Sequence, residues 1–151
     1  MPLEKKYHKS FQKRLLMILI DSGPLYALYN PDDCHHKQAL KKFKKYQNRE
    51  WVSSEAVITE VMYFLNTNSN KQLSLNTAIS EGMLSIFEVN NSIRKRIGNI
   101  LKKYRDLPAD YADATLVAYA IENGAYDVFS IDKDFSIYRG ASRKAFKNLF
   151  L

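Results

Sequence analysis

Four carboxylates at the edges of apolar segments carry the chain's main potential for chemistry. Asp21 and Asp132 each follow directly after a short run of apolar residues. Glu60 and Asp113 lie inside stretches that have the apolar spacing of helices. Because an unpaired charge is costly beside a hydrophobic core, carboxylates in such places need compensation. If the fold brings the four together, a hard divalent cation with oxygen ligands is the partner that compensates them best.

The acidic residue types also indicate which cation and which reaction. Mg²⁺ and Mn²⁺ favour carboxylate and water ligands over imidazole or thiolate. A cation held in this way lowers the pKa of a bound water and stabilises charge on the leaving oxygen of a phosphodiester. Asp110 faces the same side of its helix as Asp113, three residues later. We give Asp110 a secondary role, because a carboxylate in a first helical turn is also favoured by the helix dipole.

Short apolar runs that alternate with helical stretches predict how these acids are positioned. The predicted strands lie at residues 15–20, 51–52, 84–89, 126–131 and 147–151. The predicted helices lie at residues 25–29, 33–46, 53–66, 73–82, 90–104 and 110–122, with a loop at 66–72. Such alternation is typical of an α/β fold with right-handed crossovers and a parallel sheet covered on both faces. Its ligand crevice lies at the carboxyl ends of the strands, which is where Asp21 and Asp132 fall.

Composition indicates one compact domain, which we place at residues 15–151. A chain of 151 residues with 46% hydrophobic residues can bury a single core, and this composition argues against disorder. The one cysteine, Cys34, cannot form an internal disulfide, so we expect a reducing, cytoplasmic location. The apolar run at 15–20 is far too short to span a membrane, and we expect no membrane contact.

The net charge of +7 permits a nucleic-acid partner without proving one. Five basic residues against Glu4 fall within residues 1–14, which predicts a flexible basic arm. A second basic cluster lies on the predicted helix at 90–104. Its residues that could follow a phosphate backbone are Arg94, Lys95, Arg96, Lys102, Lys103 and the neighbouring Arg105. A solvated helix face explains this cluster equally well.

Four separated motifs together resemble those of the PIN-domain ribonucleases, and most nearly the VapC-type toxins of bacterial and archaeal toxin–antitoxin pairs. The motifs are IleAspSerGly at 20–23, ThrGlu at 59–60, AlaAspAla at 112–114 and SerIleAspLysAspPhe at 130–135. The stretch AsnProAspAspCysHisHis at 30–36 also resembles the loop after the first helix of those proteins. The resemblance covers about residues 16–138, and its specificity comes from the order and spacing of the motifs.

The resemblance implies a role for each matching residue. The positions that correspond to the family's catalytic metal ligands are Asp21, Glu60, Asp113 and Asp132, with Asp134 as an accessory acid that also binds the metal. Ser22 and Ser130 match small hydroxyl positions and would orient carboxylates or the substrate phosphate. The family further implies a three-layer α/β/α fold, cleavage of RNA with Mg²⁺ (or Mn²⁺ in its place), a homodimer and often an inhibitory antitoxin. The basic N-terminal extension and the short C-terminal strand region depart from the pattern and leave toxin status open.

We therefore interpret the chain as a metal-dependent endoribonuclease. Water rather than the ribose 2′-hydroxyl would attack, which predicts 5′-phosphate and 3′-hydroxyl ends. The alternative is a non-catalytic relative, an RNA-binding or scaffolding subunit, but a binder of anions gains nothing from concentrated negative charge. A receiver-type phosphoacceptor would need an aspartate at the end of a middle strand, where IlePheGluValAsn at 86–90 offers none. A nucleotide-binding enzyme is disfavoured because no glycine-rich phosphate loop occurs among five glycines.

Each acid also has an ordinary structural interpretation. Asp21 could cap the helix that follows it, and Glu60 could pair with a lysine on a solvated face. Asp132 and Asp134 could be turn residues. These interpretations would all have to hold at once for the metal site to be absent, so the metal site is the favoured hypothesis.

Overall fold

The computed structural model describes residue 9 and residues 11–13, 16–107 and 109–151. The flexible arm predicted at residues 1–14 lies for the most part outside the described residues, while Lys9 and residues 11–13 have helical backbone. No helix in the described part of the chain has the length and apolar character that a membrane crossing requires.

A parallel sheet of five strands, in the order β3-β2-β1-β4-β5, forms the centre of the described structure. The strands are β1 (Met17–Ile20), β2 (Glu50–Ser54), β3 (Ser85–Phe87), β4 (Asp127–Phe129) and β5 (Lys147–Asn148). The helices are α1 (Ser22–Tyr29), α2 (His36–Lys45), α3 (Glu55–Phe64), α4 (Ser69–Ser80), α5 (Asn91–Lys103) and α6 (Tyr111–Asn123). The predicted three-layer α/β/α fold with a central parallel sheet is confirmed.

Helices cover both faces of the sheet, which explains why its central strand is apolar throughout. On one face, the Tyr119 hydroxyl of α6 reaches Met17 Sδ at 3.7 Å. On the opposite face, Trp51 of β2 stacks on Phe43 of α2 with ring centroids 4.7 Å apart. All four residues of β1 are buried, so a strand of aliphatic side chains without alternation is what this position requires.

The direction of the chain across the sheet reverses at β1. The first crossovers lead from β1 to β2 and then to β3, whereas the next strand, β4, lies on the other side of β1. A crevice opens at such a switch point, beyond the carboxyl ends of the two strands. The Asp21 N–H donates to the Phe129 carbonyl at 3.1 Å, which keeps the ends of β1 and β4 together. The sheet therefore directs residues that follow these two strands into one crevice.

Side-chain caps set where most of the helices begin. The N-caps whose side chains accept a backbone N–H are Asp21 for α1, Ser54 for α3, Asn68 for α4, Asn90 for α5 and Asp110 for α6. Each cap satisfies a backbone donor that the first turn leaves without an intrahelical partner. Gly124 ends α6 in the left-handed conformation, with φ of 68°.

The structure differs from the sequence prediction at several element ends. The loop predicted at 66–72 is wrong in its second half, because α4 begins at Ser69. The Asn68 cap starts a polar first turn there, which carries no apolar periodicity to reveal it. Helix α2 begins at His36, later than predicted, since Asp33 Oδ1 instead accepts the His35 N–H at 2.8 Å in a turn. Two short 3₁₀ helices, at Lys133–Ser136 and Ala141–Arg143, were not predicted.

The close packing of Gly140 against Tyr126 predicts that Gly140→Ala lowers the free energy of unfolding by about 1–3 kcal/mol. A Cβ at this position would overlap the Tyr126 ring, whose hydroxyl accepts the Ala141 N–H at 3.0 Å. Gly98→Ala in α5 is the matched control, because its Cβ would meet open space. It should raise stability by about 0.5–1 kcal/mol through helix propensity. Urea denaturation measures both variants, and an unchanged Gly140→Ala protein would contradict the packing.

Candidate metal centre

Asp21 lies buried at the end of β1, with only 6% of its surface exposed. Its Oδ1 accepts the Ser22 N–H at 2.7 Å, so Asp21 caps α1. This is the ordinary structural role that the sequence also allowed for it. Its Oδ2 accepts the Ser130 hydroxyl at 2.7 Å, across the gap between β1 and β4. Asp21 is thus both a cap and a member of the crevice, and the two interpretations do not exclude each other.

Three further carboxylates form a compact group beside it. Asp113, Asp132 and Asp134 each offer one carboxylate oxygen, and these oxygens all lie within 4.8 Å of one another. Asp113 comes from α6 and is buried at 4% exposure, whereas Asp132 caps the 3₁₀ helix Lys133–Ser136 after β4 and Asp134 lies in it. In this cap, Asp132 accepts the Asp134 N–H at 2.9 Å. The structure therefore brings together acids from the third and fourth sequence motifs.

Ser130 connects the first and fourth acids of the motifs, Asp21 and Asp132. It is fully buried, donates to Asp21 and accepts the Asp132 N–H at 3.0 Å. Its own backbone is held on both sides by Asn148 of β5. Asn148 accepts the Ser130 N–H at 3.3 Å and donates to the Ser130 carbonyl at 2.9 Å. The short strand β5 thereby helps to fix the geometry of the crevice.

Glu60 approaches the same crevice from α3 and is partly exposed. Burial raises the pKa of Glu60, a hydrogen bond from the Ser22 side chain lowers it, and the charge of Asp110 raises it. The Glu60 charge in turn contributes to raising the pKa of Asp21. The charges of Glu60, Asp21 and Asp110 therefore act on one another, and Ser22 bonds to Glu60, although Glu60 is outside the three-oxygen cluster.

Asp110 has the structural role that its position suggested, and it also acts on the site. Its Oδ1 accepts the Asp113 N–H at 2.7 Å and so caps α6. Its negative charge contributes to the raised pKa values of Asp21 and Asp113. Deeper in α6, the Thr115 hydroxyl donates to Ser54 Oγ at 2.7 Å, which fixes this helix to the end of β2.

Tyr138 is a site residue that sequence reasoning missed. Its hydroxyl donates to Asp113 Oδ2 at 3.0 Å, and its side chain is fully buried. The ring packs edge-on against Tyr104 and Phe135, with centroids 5.1 and 5.3 Å away. Burial and the adjacent Asp113 charge raise the pKa of Tyr138. Its hydroxyl therefore stays protonated and donates a hydrogen bond to the Asp113 carboxylate. In the sequence, Tyr138 is one more aromatic residue in an apolar stretch, and no local pattern indicates its contact with Asp113.

Electrostatics distinguishes this cluster from ordinary surface acids. Burial, opposed by hydrogen bonds from Ser130 and Ser22, raises the pKa of Asp21 to about 6. Burial, together with the neighbouring charge of Asp21, raises the pKa of Asp113 to about 8. Among the described residues, no lysine or arginine forms an ion pair with Asp21 or Asp113. The oxygen donors of the cluster fit a hard divalent cation.

Two of the basic residues predicted on α5 have partners other than the acids of this cluster. The Arg94 guanidinium donates to the Tyr111 hydroxyl at 2.6 Å. Arg96 pairs with Glu122, at 2.5 Å from Nε to Oε2. Lys102 and Lys103 are exposed at the end of the helix. Contact of this face with RNA stays a prediction, and it would have to compete with the Arg96 ion pair.

Comparison with known proteins agrees with this arrangement. The sequence matches the family described as PIN domain over residues 18–141. In fold, the chain is similar to a crystal structure of Mycobacterium tuberculosis VapC20, described as a toxin that cleaves the sarcin–ricin loop. That likeness has a TM-score of 0.71 and 20% identity, and it covers 80% of this chain and 93% of the other. The chain is also similar in fold to a toxin–antitoxin complex from Klebsiella pneumoniae, with a TM-score of 0.60 and 20% identity. This likeness covers 79% of this chain and 90% of the other. No curated protein matches the chain in sequence.

The raised pKa of Asp113 predicts how the stability of the metal-free protein depends on pH. A carboxyl group with a higher pKa in the folded than in the unfolded state favours folding while protonated, and this contribution is lost as it ionises. The wild type should therefore lose stability relative to Asp113→Asn as pH rises from about 4 to about 8. At pH 8 the variant should be more stable by on the order of a few kcal/mol.

Urea unfolding in EDTA at pH 5 and pH 8 measures this difference. Asp32→Asn, at an exposed carboxylate in the turn before α2, is the matched control and should change stability little at either pH. If the difference between wild type and Asp113→Asn were the same at both pH values, the uncompensated burial of Asp113 would be refuted.

Proposed function

Because the chain belongs to the PIN domain family, we propose that it is a metal-dependent endoribonuclease that hydrolyses RNA phosphodiester bonds. The observation that carries this proposal is the cluster of Asp113, Asp132 and Asp134 beside buried Asp21, with no ion pair from a described lysine or arginine to Asp21 or Asp113. The four sequence motifs indicate the family, and the acidic cluster supports the activity.

The donor set supports Mg²⁺, with Mn²⁺ able to substitute. We assign the ligand role to Asp21, Glu60, Asp113 and Asp132, directly or through waters, with Asp134 as the accessory ligand. A cation held there would supply positive charge that acidifies a nearby water and stabilises the leaving oxygen of the phosphodiester. Carboxylates and waters are the ligands that both ions prefer.

The remaining residues of the site orient these carboxylates. Ser130 donates to one oxygen of Asp21, so that carboxylate has a fixed direction before any ligand arrives. Tyr138 does the same for Asp113. Ser22 lowers the pKa of Glu60 by hydrogen bonding and so favours the ionised form that binds a cation. No side chain has to act as a separate base if the attacking water is activated in the centre.

We further propose that the protein acts as the toxin of a toxin–antitoxin pair, with RNA as substrate, a protein antitoxin as inhibitor and a homodimer as its assembly. The likeness to VapC20 and to the Klebsiella pneumoniae complex supports the toxin and the antitoxin parts of this proposal. Cys34 forms no disulfide, which suits the reducing cytoplasm that we infer as its location.

A non-catalytic RNA-binding or scaffolding subunit is the competing hypothesis, and metal binding separates the two. Titration calorimetry with Mn²⁺ should show binding to the wild type and a loss of at least about tenfold in affinity for Asp132→Asn, which removes a charged oxygen donor. Asp32→Asn should bind as the wild type does. Absence of any Mn²⁺ binding to the wild type would favour the scaffolding hypothesis.

Cleavage itself tests the mechanism. Purified protein should cut RNA in Mg²⁺ and leave 5′-phosphate and 3′-hydroxyl ends, because water attacks the phosphorus. Excess EDTA should abolish the reaction. Asp21→Asn should reduce the rate by more than about 100-fold, and it should keep or raise thermal stability without metal, since it removes a buried repulsive charge.

The control for that variant is Ser130→Ala, which keeps every carboxylate and should lose only about 10- to 100-fold in rate. End-labelled products resolved on a sequencing gel identify the termini. Undiminished cleavage in EDTA, or cyclic phosphate ends, would contradict the mechanism. A strongly destabilised Asp21→Asn protein that retains full activity would contradict the assignment of Asp21.

A further inference from the structure

A second charged surface lies between α2 and the segment around β5. This surface, the lysine groove, has a volume of about 920 Å³. The residues that give the groove its charge are Lys37, Lys41, Lys42 and Lys45 of α2 and Lys147 of β5. No aspartate or glutamate is among its described lining residues. The groove therefore concentrates positive charge on a protein whose proposed catalytic centre is negative.

The lysines of α2 form a stripe rather than a scatter. Lys37, Lys41 and Lys45 follow one another at four-residue spacing, so they share one helix face with about 6 Å of helix rise between neighbours. All three are exposed, and α2 contains no acidic residue that could separate their charges. Like charges at this spacing destabilise a helix, which makes a bound polyanion favourable.

The wall of the groove is fixed by hydrogen bonds. Gln38 Nε2 donates to the Phe150 carbonyl at 3.1 Å, and Lys42 Nζ donates to the same oxygen. The Phe150 ring is buried edge-on against Phe129 of β4, with centroids 5.1 Å apart. The C-terminal segment is thus attached to both α2 and the sheet, and the groove between them is a formed surface.

One residue joins the groove to the candidate metal centre. Asn148 lines the groove, and its side chain holds the backbone of Ser130 from both sides. Ser130 in turn donates to Asp21. Asn148, on one side of the groove, is therefore linked to the buried carboxylate of Asp21 through two hydrogen-bonded contacts.

We propose that the lysine groove binds the sugar–phosphate backbone of single-stranded RNA. This inference rests on the proposed nuclease function and adds a binding site to it. The lysines offset the repulsion that the acidic cluster exerts on a polyanion. RNA is the polyanion that the proposed activity brings to this protein, so the positive charge of the groove complements the substrate itself.

The experiment compares two triple variants with the same change of charge. The test variant is Lys37→Gln, Lys41→Gln and Lys45→Gln, which keeps helix propensity nearly constant. The matched control is Lys9→Gln, Lys44→Gln and Lys144→Gln, at exposed positions outside both the groove and α5. Fluorescence anisotropy of a labelled single-stranded RNA of about 16 nucleotides is recorded in EDTA across a series of salt concentrations, with thermal melts to check folding.

The test variant should bind at least about tenfold more weakly at low salt, and the slope of log affinity against log salt should shrink by about 2, as expected for three lost phosphate contacts. The control should lose less than about threefold. Equal losses in both variants would reduce the effect to net charge and overturn the proposal. Failure of the wild type to bind RNA, or displacement of RNA by polyglutamate as effective as that by unlabelled RNA, would also overturn it.

Because binding is measured without metal, its outcome is independent of cleavage. If the groove binds RNA as expected but no RNA is cut in Mg²⁺, the nuclease proposal is wrong and the proposal of RNA binding in the groove is supported. If RNA is cut and the test variant binds as well as the wild type, the groove proposal fails and the nuclease stands.

Discussion

Burial of carboxylates close to one another, where their charges also repel, is the constraint on which this structure depends. Asp21 and Asp113 are buried within reach of each other's charge, and Asp110 adds to the repulsion. Hydrogen bonds from Ser130 and Tyr138 orient the two buried groups without neutralising them. Such an arrangement costs stability in the absence of a counter-ion, so a fold that keeps it must gain elsewhere, from an apolar core that surrounds β1 on both faces.

The topology of the sheet explains how one crevice collects these side chains. Reversal of chain direction at β1 places the ends of β1 and β4 side by side, and residues after each strand meet there. Helices α3 and α6 then direct Glu60 and Asp113 to the same place, because each begins at a cap near the carboxyl edge of the sheet. The apolar strands and the polar centre are therefore consequences of a single geometry, as is expected for ligand sites in open α/β sheets.

Sequence patterns predicted most of the fold because local chemistry encodes it. The apolar strands, the Ser54 and Asn90 caps and the Gly124 stop each leave a signal within a few residues. The same patterns placed Asp21 and Asp132 at strand ends. Tyr138 and Asn148 could not be found in this way, since each acts through a contact with a residue 25 or 18 positions away. The polar first turn of α4 escaped because apolar periodicity, on which the prediction depended, is absent there.

The hydrogen bond between Ser130 and Asp21 has a consequence for the folding of the chain. It joins residues 109 positions apart, and β4 pairs directly with the first strand of the sheet. Non-local pairing of this kind forms slowly, because a long loop must close before the contact contributes any stability. During synthesis the crevice therefore cannot assemble until β4 has left the ribosome. A nascent polypeptide that ends before β4 contains Asp21, Glu60 and Asp113 but lacks the strand that completes the site.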